Sequence, residues 1–324
     1  MKRILIGVLL LAGVGGCFLK RGPKTVTIGV SFGDLQSEAA IAEFEAINAE
    51  LRKRELKVLG AVADGDGNKQ LDQIRGFIAR RITGMIVSPG RGASAPAILQ
   101  AASDAGIPVV LLQQTAEAHG ARTAAVLTDE AALARATVAQ LAAQGLKSAP
   151  RLKAAILLGD PQAAATAARR QGFEEAVASS GGKIAIVARI DSEGSPETAQ
   201  RRLQEALTAH PDLGLLFVAS DSLLPAAAET LASAGRLKKI GEPGHLLLGS
   251  ADGAPAAYRL LVDRTLDAAG SPDLFFRSES AVQATLDLLA GKTVAAPILD
   301  RGFVIAPETI PQLGSRMWGS QLRR

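Results

Sequence analysis

Short apolar runs alternate with longer helical patterns along the chain from Thr25 onward. The short runs are rich in branched aliphatic side chains, which is typical of buried strands. Four of them form a first set: TVTIGV at 25–30, KVLGAV at 57–62, GMIVSP at 84–89 and IPVVLL at 107–112. Apolar residues spaced three or four apart predict the intervening helices, at 38–54, 70–81 and 95–105. This alternation predicts parallel strands with helices on both faces of the sheet.

The same alternation repeats in a second set of segments. Its strand candidates are TAAVLT at 123–128, KAAILLGD at 153–160, KIAIVARID at 183–191, LGLLFVASD at 213–221 and HLLLGSADG at 245–253. The helices between them are predicted over 129–144, 163–179, 196–210 and 221–234. Two successive open sheets in one α/β chain predict two lobes, each with its functional edge at the carboxyl ends of its strands.

The amino end has the pattern of a secretory signal. Lys2 and Arg3 form a basic start, an apolar run follows at 4–11, and small residues precede Cys17, the only cysteine. The apolar run is too short to span a bilayer. The sequence VGGC resembles the lipobox of bacterial lipoproteins, which implies a signal peptide over 1–16, a lipid on Cys17 and a tether over 17–24. The alternative is an uncleaved anchor helix with an incidental cysteine.

The positive net charge is concentrated at this amino end. The first 24 residues hold five of the 36 bases and no acid, so 31 bases face 32 acids in the rest of the chain. Nucleic-acid binding requires a clustered cationic surface, and single-strand binding adds stacking aromatic rings. Aromatic residues make up 3% of the chain. We therefore predict no nucleic-acid partner, and a single cysteine excludes an internal disulfide framework.

Five segments of the body, taken in order, resemble one known family. They are DGDGNKQLDQIRGFIARRITGMIVSP, AASDAGIPVVLL, ALTAHPDLGLLFVASDSLLPAAAETL, GSADGAP and DRGFVIAPETI. The family is that of the ribose/galactose-type sugar-binding proteins of bacterial ABC importers, which have the type I periplasmic binding fold. The resemblance covers Thr25 to about Gln312, and its specificity lies in the order and spacing of the segments.

The resemblance implies two lobes that are joined by three crossings of the chain, near 114–125, 268–272 and 297–301. Lobe 1 would comprise 25–118 and 270–298, lobe 2 would comprise 119–269 and 299–315, and a C-terminal tail would occupy 316–324. The resemblance also implies a monomeric receptor of the cell envelope, facing the periplasm or the cell surface. Its partner would be the permease of an ABC transporter or a membrane receptor.

Ligands of such a fold bind in the crevice at the carboxyl ends of the strands. The residues near these ends form our candidate ligand-binding set: Ser31, Phe32, Asp34, Ser88, Arg91, Gln113, Gln114, Arg169, Asp191, Ser220, Asp221 and Asp252. Arg169 and Asp252 match ligand residues of the family, and a guanidinium can fork onto two oxygens. The alternative for Arg169 is a solvent-facing position beside Arg170. We expect one of Ser220 and Asp221 to face the cleft and the other to cap the following helix.

Sugar sites of the family stack aromatic rings on the ligand, and this sequence departs from that pattern. The corresponding positions carry Ser37, Glu38 and Ser192, and the Asp-Arg pair expected after the fourth strand is Gln113-Gln114. Phe32 is the one ring expected near the cleft, while Trp318 lies beyond the predicted fold. These changes predict a ligand that is more polar, smaller or differently shaped than a simple sugar, or a pocket that has lost its ligand.

The sequence carries no pattern that indicates catalysis or metal binding. DGDGN at 64–68 begins like a calcium loop, but Lys69 and Arg75 stand where glycine and glutamate are needed. The three histidines, at 119, 210 and 245, are scattered, and no catalytic triad, P-loop or dinucleotide motif is present. We expect no enzyme activity, no cofactor and no metal.

The function predicted from the sequence is a lipid-anchored solute receptor of an ABC importer that closes two lobes around a sugar-like polar ligand. One alternative is a sensory or interaction lipoprotein that presents its ligand state to a chemoreceptor or sensor kinase. Another is a surface lipoprotein with a degenerate pocket. A DNA-binding regulator is excluded because a signal sequence stands where a helix-turn-helix would be required.

Overall fold

A computed structural model describes residues 25–90, 95–115, 122–295 and 297–321 of the chain. The strands in these ranges are β1 Thr27–Phe32, β2 Lys57–Val62, β3 Gly84–Ser88, β4 Val109–Leu112, β5 Thr123–Thr128, β6 Leu152–Leu158, β7 Ile184–Asp191, β8 Leu215–Val218, β9 Leu247–Ser250, β10 Ala268–Ser271, β11 Ile298–Asp300 and β12 Phe303–Ile305. The helices are α1 Glu38–Lys53, α2 Gly67–Ala79, α3 Ala95–Asp104, α4 Glu130–Gly145, α5 Ala164–Ala178, α6 Pro196–Ala209, α7 Leu224–Ser233, α8 Pro255–Val262, α9 Leu274–Leu289 and α10 Ile310–Leu313.

The strands form two six-stranded sheets, in the orders β11-β5-β4-β3-β1-β2 and β12-β10-β9-β8-β6-β7. Neighbouring strands are parallel throughout, except that β12 runs antiparallel to β10. We define lobe 1 as the first sheet with α1, α2, α3 and α9, and lobe 2 as the second sheet with the remaining helices. Parallel sheets are covered on both faces, which explains the continuous apolar runs of β3, β4 and β8.

The chain crosses between the sheets at positions that partly differ from those expected. β5 was expected to open lobe 2, but it pairs with β4 from Val109↔Thr123 onward and belongs to lobe 1. The first crossing therefore follows Thr128, because the apolar side chains of β5 are buried by extending the first sheet rather than by starting the second. β11 also pairs with β5, so Leu299 and Asp300 belong to lobe 1 as well. β10 lies wholly in the second sheet, so lobe 2 continues to Ser271 and the second crossing follows it.

One buried polar network connects the three crossings. The carboxylate of Asp300 accepts hydrogen bonds from the backbone N–H groups of Asp273, at 2.9 Å, and Gly302, at 2.7 Å. The hydroxyl of Thr128 lies 3.4 Å from the same carboxylate and accepts a hydrogen bond of 3.0 Å from Arg277. Burial raises the pKa of Asp300. The network fixes the three chain segments relative to one another.

Arg277 also forms an ion pair with Glu43 inside lobe 1. Nε of Arg277 donates to Oε1 of Glu43 at 2.9 Å, and its Nη2 is a second partner of the same oxygen. Both side chains are buried, with 4% and 7% of their surface exposed. The pair joins α1 to α9 beneath the crossings, since Glu43 and Arg277 lie on those two helices.

No helix in the described part of the chain is long and apolar enough to cross a membrane. The same residues contain no cluster of three metal-ligating side chains. The predicted signal peptide, Cys17, the tether and the last three residues of the C-terminal tail lie outside the described ranges. Asp66 accepts hydrogen bonds from the N–H groups of Asn68 and Lys69, so the segment DGDGN is the turn that starts α2.

Candidate functional site

Arg169 lies at the centre of a charged cluster at the carboxyl edge of the lobe 2 sheet. Its Nε donates to Oε2 of Glu130 at 2.7 Å, and Nη1 donates to the carbonyl oxygen of Ala219 at 2.9 Å. Nη2 lies 2.5 Å from Oδ1 of Asp252. The side chain is 7% exposed, so Arg169 is not the solvent-facing residue of the alternative interpretation.

The two carboxylates keep this guanidinium charged. Burial opposes the charged form of Arg169, but the neighbouring charges of Asp252 and Glu130 outweigh burial and raise the pKa of Arg169 above its usual value. Two carboxylates around one cation leave a net negative charge in the cluster. Glu130 and Asp252 are 15% and 26% exposed, so part of that charge faces the open side of the sheet edge.

Asp252 occupies an uncommon backbone conformation. Its φ is +91°, in the left-handed region that residues other than glycine rarely adopt, and Gly253 follows with a φ of +73°. The turn directs the carboxylate of Asp252 back across the ends of the strands, where Oδ2 accepts the N–H of Asp221 at 3.0 Å. The hydroxyl of Ser220 lies 3.4 Å from the same oxygen.

Ser220 and Asp221 do not divide the roles of cleft residue and helix cap. Neither side chain caps the helical segment that follows them. Instead, Oδ2 of Asp221 accepts the N–H of Ala254 at 2.8 Å, which ties the end of β8 to the start of α8. The Ser220 hydroxyl lies 3.0 Å from that of Ser222. Asp221 is buried, and the cap prediction fails because its carboxylate turns inward toward a neighbouring loop.

Burial, reinforced by the negative charge of Asp252, raises the pKa of Asp221 well above its ordinary value of 3.8. The folded state therefore holds this proton more tightly than the unfolded chain, and the contribution of Asp221 to stability falls as pH rises from the unfolded through the folded pKa. We expect Asp221→Asn to gain stability relative to wild type as pH is raised from about 4 to about 8, by at most about 1.4 kcal/mol per pH unit between the two pKa values.

Chemical denaturation of both proteins across this pH range measures the effect. A difference in unfolding free energy that is constant with pH would contradict the burial of an ionisable Asp221. Asp263→Asn is the matched control for the chemical change itself, because Asp263 is exposed at the C-terminal end of α8.

Two of the lobe 1 candidates, Ser31 and Ser88, converge on a residue that the sequence analysis did not select. Nε2 of Gln70 donates to the hydroxyl of Ser31 at 3.2 Å and to the carbonyl of Ser88 at 3.0 Å, and its Oε1 accepts the N–H of Gly90. Gln70 is fully buried. Ser31 and Ser88 are therefore parts of the scaffold that shapes the ends of β1 and β3.

Phe32 is a core residue, which corrects its prediction as the ring near the cleft. Its ring packs edge-on against Phe44, with centroids 5.2 Å apart, and the residue is 1% exposed. Alternate residues of a strand share one face, so Phe32 lies on the same side of β1 as Ile28 and Val30, facing α1 and α9. The site is left without the ring that we had assigned to it.

The remaining candidates are spread along the edges of the two sheets. Gln113 is exposed at the end of β4, and its side chain exchanges hydrogen bonds with Thr128, as the acceptor of the N–H at 3.1 Å and the donor to the hydroxyl at 3.2 Å. Asp34 and Asp191 each accept a backbone N–H two residues ahead, which forms local turns. Arg91 lies outside the described residues.

A cavity of about 900 Å³ opens beside the first crossing and is lined by both lobes. Lobe 1 contributes Gln113, Gln114 and Thr128, and lobe 2 contributes Glu130 and the first turns of α5, which are made of alanines. Glu130 thus connects this cavity to the Arg169 cluster. The volume falls in the range of small-molecule sites, and the amide, hydroxyl and carboxylate groups can pair with hydroxyls of a ligand.

The sequence analysis missed Glu130 and Thr128, which line the cavity, and Gln70, which supports the ends of β1 and β3. Glu130 follows Asp129, which caps α4. An acidic residue in a first helical turn is ordinarily interpreted as a favourable partner of the helix dipole, which hides its second role. No local sequence pattern marks Gln70 or Thr128, because their contacts join segments that are far apart in the sequence.

Residues 28–293 match the family described as the periplasmic binding protein domain. The chain belongs to this family. Its two-lobe α/β architecture with three crossings is the type I periplasmic binding fold, so the resemblance and the fold class predicted from the sequence are both confirmed.

Individual members of the periplasmic binding protein family match most of the chain. It is 27% identical over 284 residues to the ribose import binding protein RbsB of Bacillus subtilis (strain 168), covering 85% of this chain and 87% of that protein. A periplasmic ribose ABC transporter protein of Conexibacter woesei superposes with a TM-score of 0.77 and 22% identity, over 90% of this chain and 95% of that chain. An ABC transporter solute-binding protein of Mycobacterium smegmatis with bound glycerol gives a TM-score of 0.70 and 26% identity, over 89% and 96%.

Proposed function

We propose that the chain is the solute receptor of an ABC importer and that it closes its two lobes around a sugar or a sugar-like polar molecule. The observation that carries the proposal is the cavity at the first crossing, because both lobes line it with hydrogen-bonding groups. Family membership supports the same function. Two relatives support it as well, one a ribose import binding protein and the other a solute-binding protein with bound glycerol. A ligand that contacts both lobes only in the closed state shifts the equilibrium toward closure.

The ligand is recognised mainly by hydrogen bonds. Among the described residues that line the cavity, none is aromatic, so no ring can stack on a sugar face there. Gln113 and Gln114 offer amide donors and acceptors in place of the charged pair of the family. Glycerol, myo-inositol and small sugars therefore belong in one test panel with ribose.

Thermal-shift screening of this panel, followed by X-ray scattering, tests the function. We expect at least one member to raise the melting temperature and to lower the radius of gyration of the wild-type protein. Gln114→Ala should weaken this response, whereas the same change at Gln204, an exposed residue of α6 that does not line the cavity, should not. A panel that gives neither stabilisation nor compaction would contradict the proposed function.

The proposal includes a lipid anchor at Cys17, in the cell envelope. We expect Cys17→Ala to accumulate as an unlipidated precursor that keeps residues 1–16, because the thiol that would receive the lipid is missing. Mass spectrometry of the intact protein measures both the retained segment and the lipid. Gly16→Ala is the matched control, since a small residue before the cysteine is retained and processing should continue. Wild-type protein that is recovered without lipid in a detergent-free soluble fraction would refute the anchor.

A further inference from the structure

The C-terminal segment contacts the backbone of the turn at Asp252 and Gly253, beside the charged cluster around Arg169. We call residues Gly314–Gln321 the C-terminal strap. Nε1 of Trp318 donates to the carbonyl oxygen of Asp252 at 2.5 Å, and the N–H of Gly319 donates to the carbonyl of Gly253 at 3.1 Å. A Cβ at Gly319 would lie 2.4 Å from the backbone of Ala254, so only glycine permits this approach. The strap is thus fitted to the backbone of the turn that directs the Asp252 carboxylate.

The ring of Trp318 contacts both lobes. It is 3% exposed and packs against Ala254 of lobe 2 and against Leu274, Ala39 and Ala42 of lobe 1. Ala39 and Ala42 lie in the first turns of α1, which begins just beyond the carboxyl end of β1. Ala254 precedes α8 at the corresponding edge of the second sheet. Trp318 therefore joins the site-facing ends of the two lobes.

Arg316 fixes the strap to the second crossing. Its Nη2 lies 2.5 Å from Oδ2 of Asp273, and its guanidinium lies 4.8 Å from the centre of the Phe303 ring. Asp273 caps α9 by accepting the N–H of Phe276, so the ion pair holds the strap at the start of a lobe 1 helix. Met317 packs into the core of lobe 2 on the other side.

We propose that Trp318 is a positioning residue for the ligand site. It holds the left-handed turn at Asp252, and so keeps the carboxylate on Arg169 and on the N–H of Asp221, while its ring couples this turn to α1 of lobe 1. When the distance between the lobes changes, Trp318 transmits that movement to the turn and so changes the position of the Asp252 carboxylate. The effect on ligand affinity rests on the proposed function, whereas the effect on the turn does not.

Hydrogen exchange in the absence of ligand tests the positioning role. The N–H groups of Asp221 and Ala254 are the reporters, because both donate to the carboxylates that the turn organises. Loss of one hydrogen bond in Trp318→Phe should speed their exchange about three- to tenfold, and Trp318→Ala, which also loses the packing, should speed it further. Met317→Ala is the control for general destabilisation of lobe 2. When its loss of melting temperature equals that of a Trp318 variant, it should speed the exchange of these two N–H groups less than that variant does. If all three variants change the exchange equally, Trp318 is a core residue only and the proposal fails.

A second measurement uses D-ribose as the probe and Trp318 as the reporter, since it is the only tryptophan in the chain. If ribose stabilises the wild type, Trp318 emission should shift on its addition, and Trp318→Phe should bind ribose more weakly than Met317→Ala does. Emission that is unchanged at saturating ribose would refute the coupling between the lobes. If ribose and the other panel members leave the wild type unchanged, the proposed function fails, and the exchange of the Asp221 and Ala254 N–H groups still decides whether Trp318 positions the turn.

Discussion

Replacing Arg169 with alanine is expected to lower the free energy of unfolding by about 3 kcal/mol and to remove the thermal response to the sugar panel. The stability loss arises because Glu130 and Asp252 lose their shared cation, and the carbonyl of Ala219 loses a donor. The binding loss arises because the unpaired carboxylates of Glu130 and Asp252 repel each other, so these side chains no longer keep a fixed position beside the cavity. Chemical denaturation and calorimetry with the best panel member measure the two effects.

Arg170→Ala is the matched control for this prediction. Arg170 is the next residue of α5 and is exposed, so its removal should change stability by less than about 0.5 kcal/mol. Arg169→Lys should recover only part of the loss, because an ammonium group cannot reach three separate acceptors with the geometry of a guanidinium. Normal stability and binding in Arg169→Ala would show that the cluster does not organise the site.

Replacing Arg277 with methionine is expected to destabilise the protein by about 3–5 kcal/mol, because Glu43 is left as a buried charge without its cation. Thr128 also loses the hydrogen bond from Nη1, which loosens the network at the crossings. Urea unfolding followed by circular dichroism measures the change.

A second replacement separates the cost of the unpaired charge from the cost of lost packing. Arg277→Met combined with Glu43→Leu should recover most of the stability, since apolar side chains of similar size often replace a buried ion pair without loss. Arg54→Ala is the control at a more accessible ion pair: Arg54, 24% exposed at the C-terminal cap of α1, pairs with Glu50 and donates to Gln283 of α9, and its loss should cost less than about 1 kcal/mol. If the double variant is as unstable as Arg277→Met, the isolated charge is not the cause.

The hydrophobic pattern predicted the elements of the fold better than the limits of the lobes. Segments such as 38–54 and 123–128 were predicted to within one residue, because burial leaves a periodic signal in each of them. The lobe that contains β5 was predicted wrongly, because an apolar strand is equally suited to either sheet. Which sheet a strand joins is decided by pairing with distant segments, and no local pattern reports it.

The sequence analysis selected some members of the candidate site and missed the contacts between them. Arg169 and Asp252 were selected through the resemblance, but not the ion pair between them or the third partner, Glu130. Phe32 was misplaced although the alternation of Ile28, Val30 and Phe32 already indicated one shared face. Trp318 was expected beyond the fold, whereas its hydrogen bond to Asp252 joins residues 66 positions apart. Contacts of this separation depend on the completed fold.

The composition of lobe 1 has a consequence for the order in which the protein can fold. Its sheet needs β11, and its core needs α9, yet both come from the segment 274–300, near the carboxyl end of the chain. While the chain emerges from a ribosome or a translocation channel, Glu43 has no Arg277 and one edge of β5 has no partner strand. Lobe 1 therefore cannot complete its fold until nearly the whole chain has emerged. Until then it exposes apolar surface and an open strand edge. During that interval the exposed apolar surface of lobe 1 is available for a chaperone to bind.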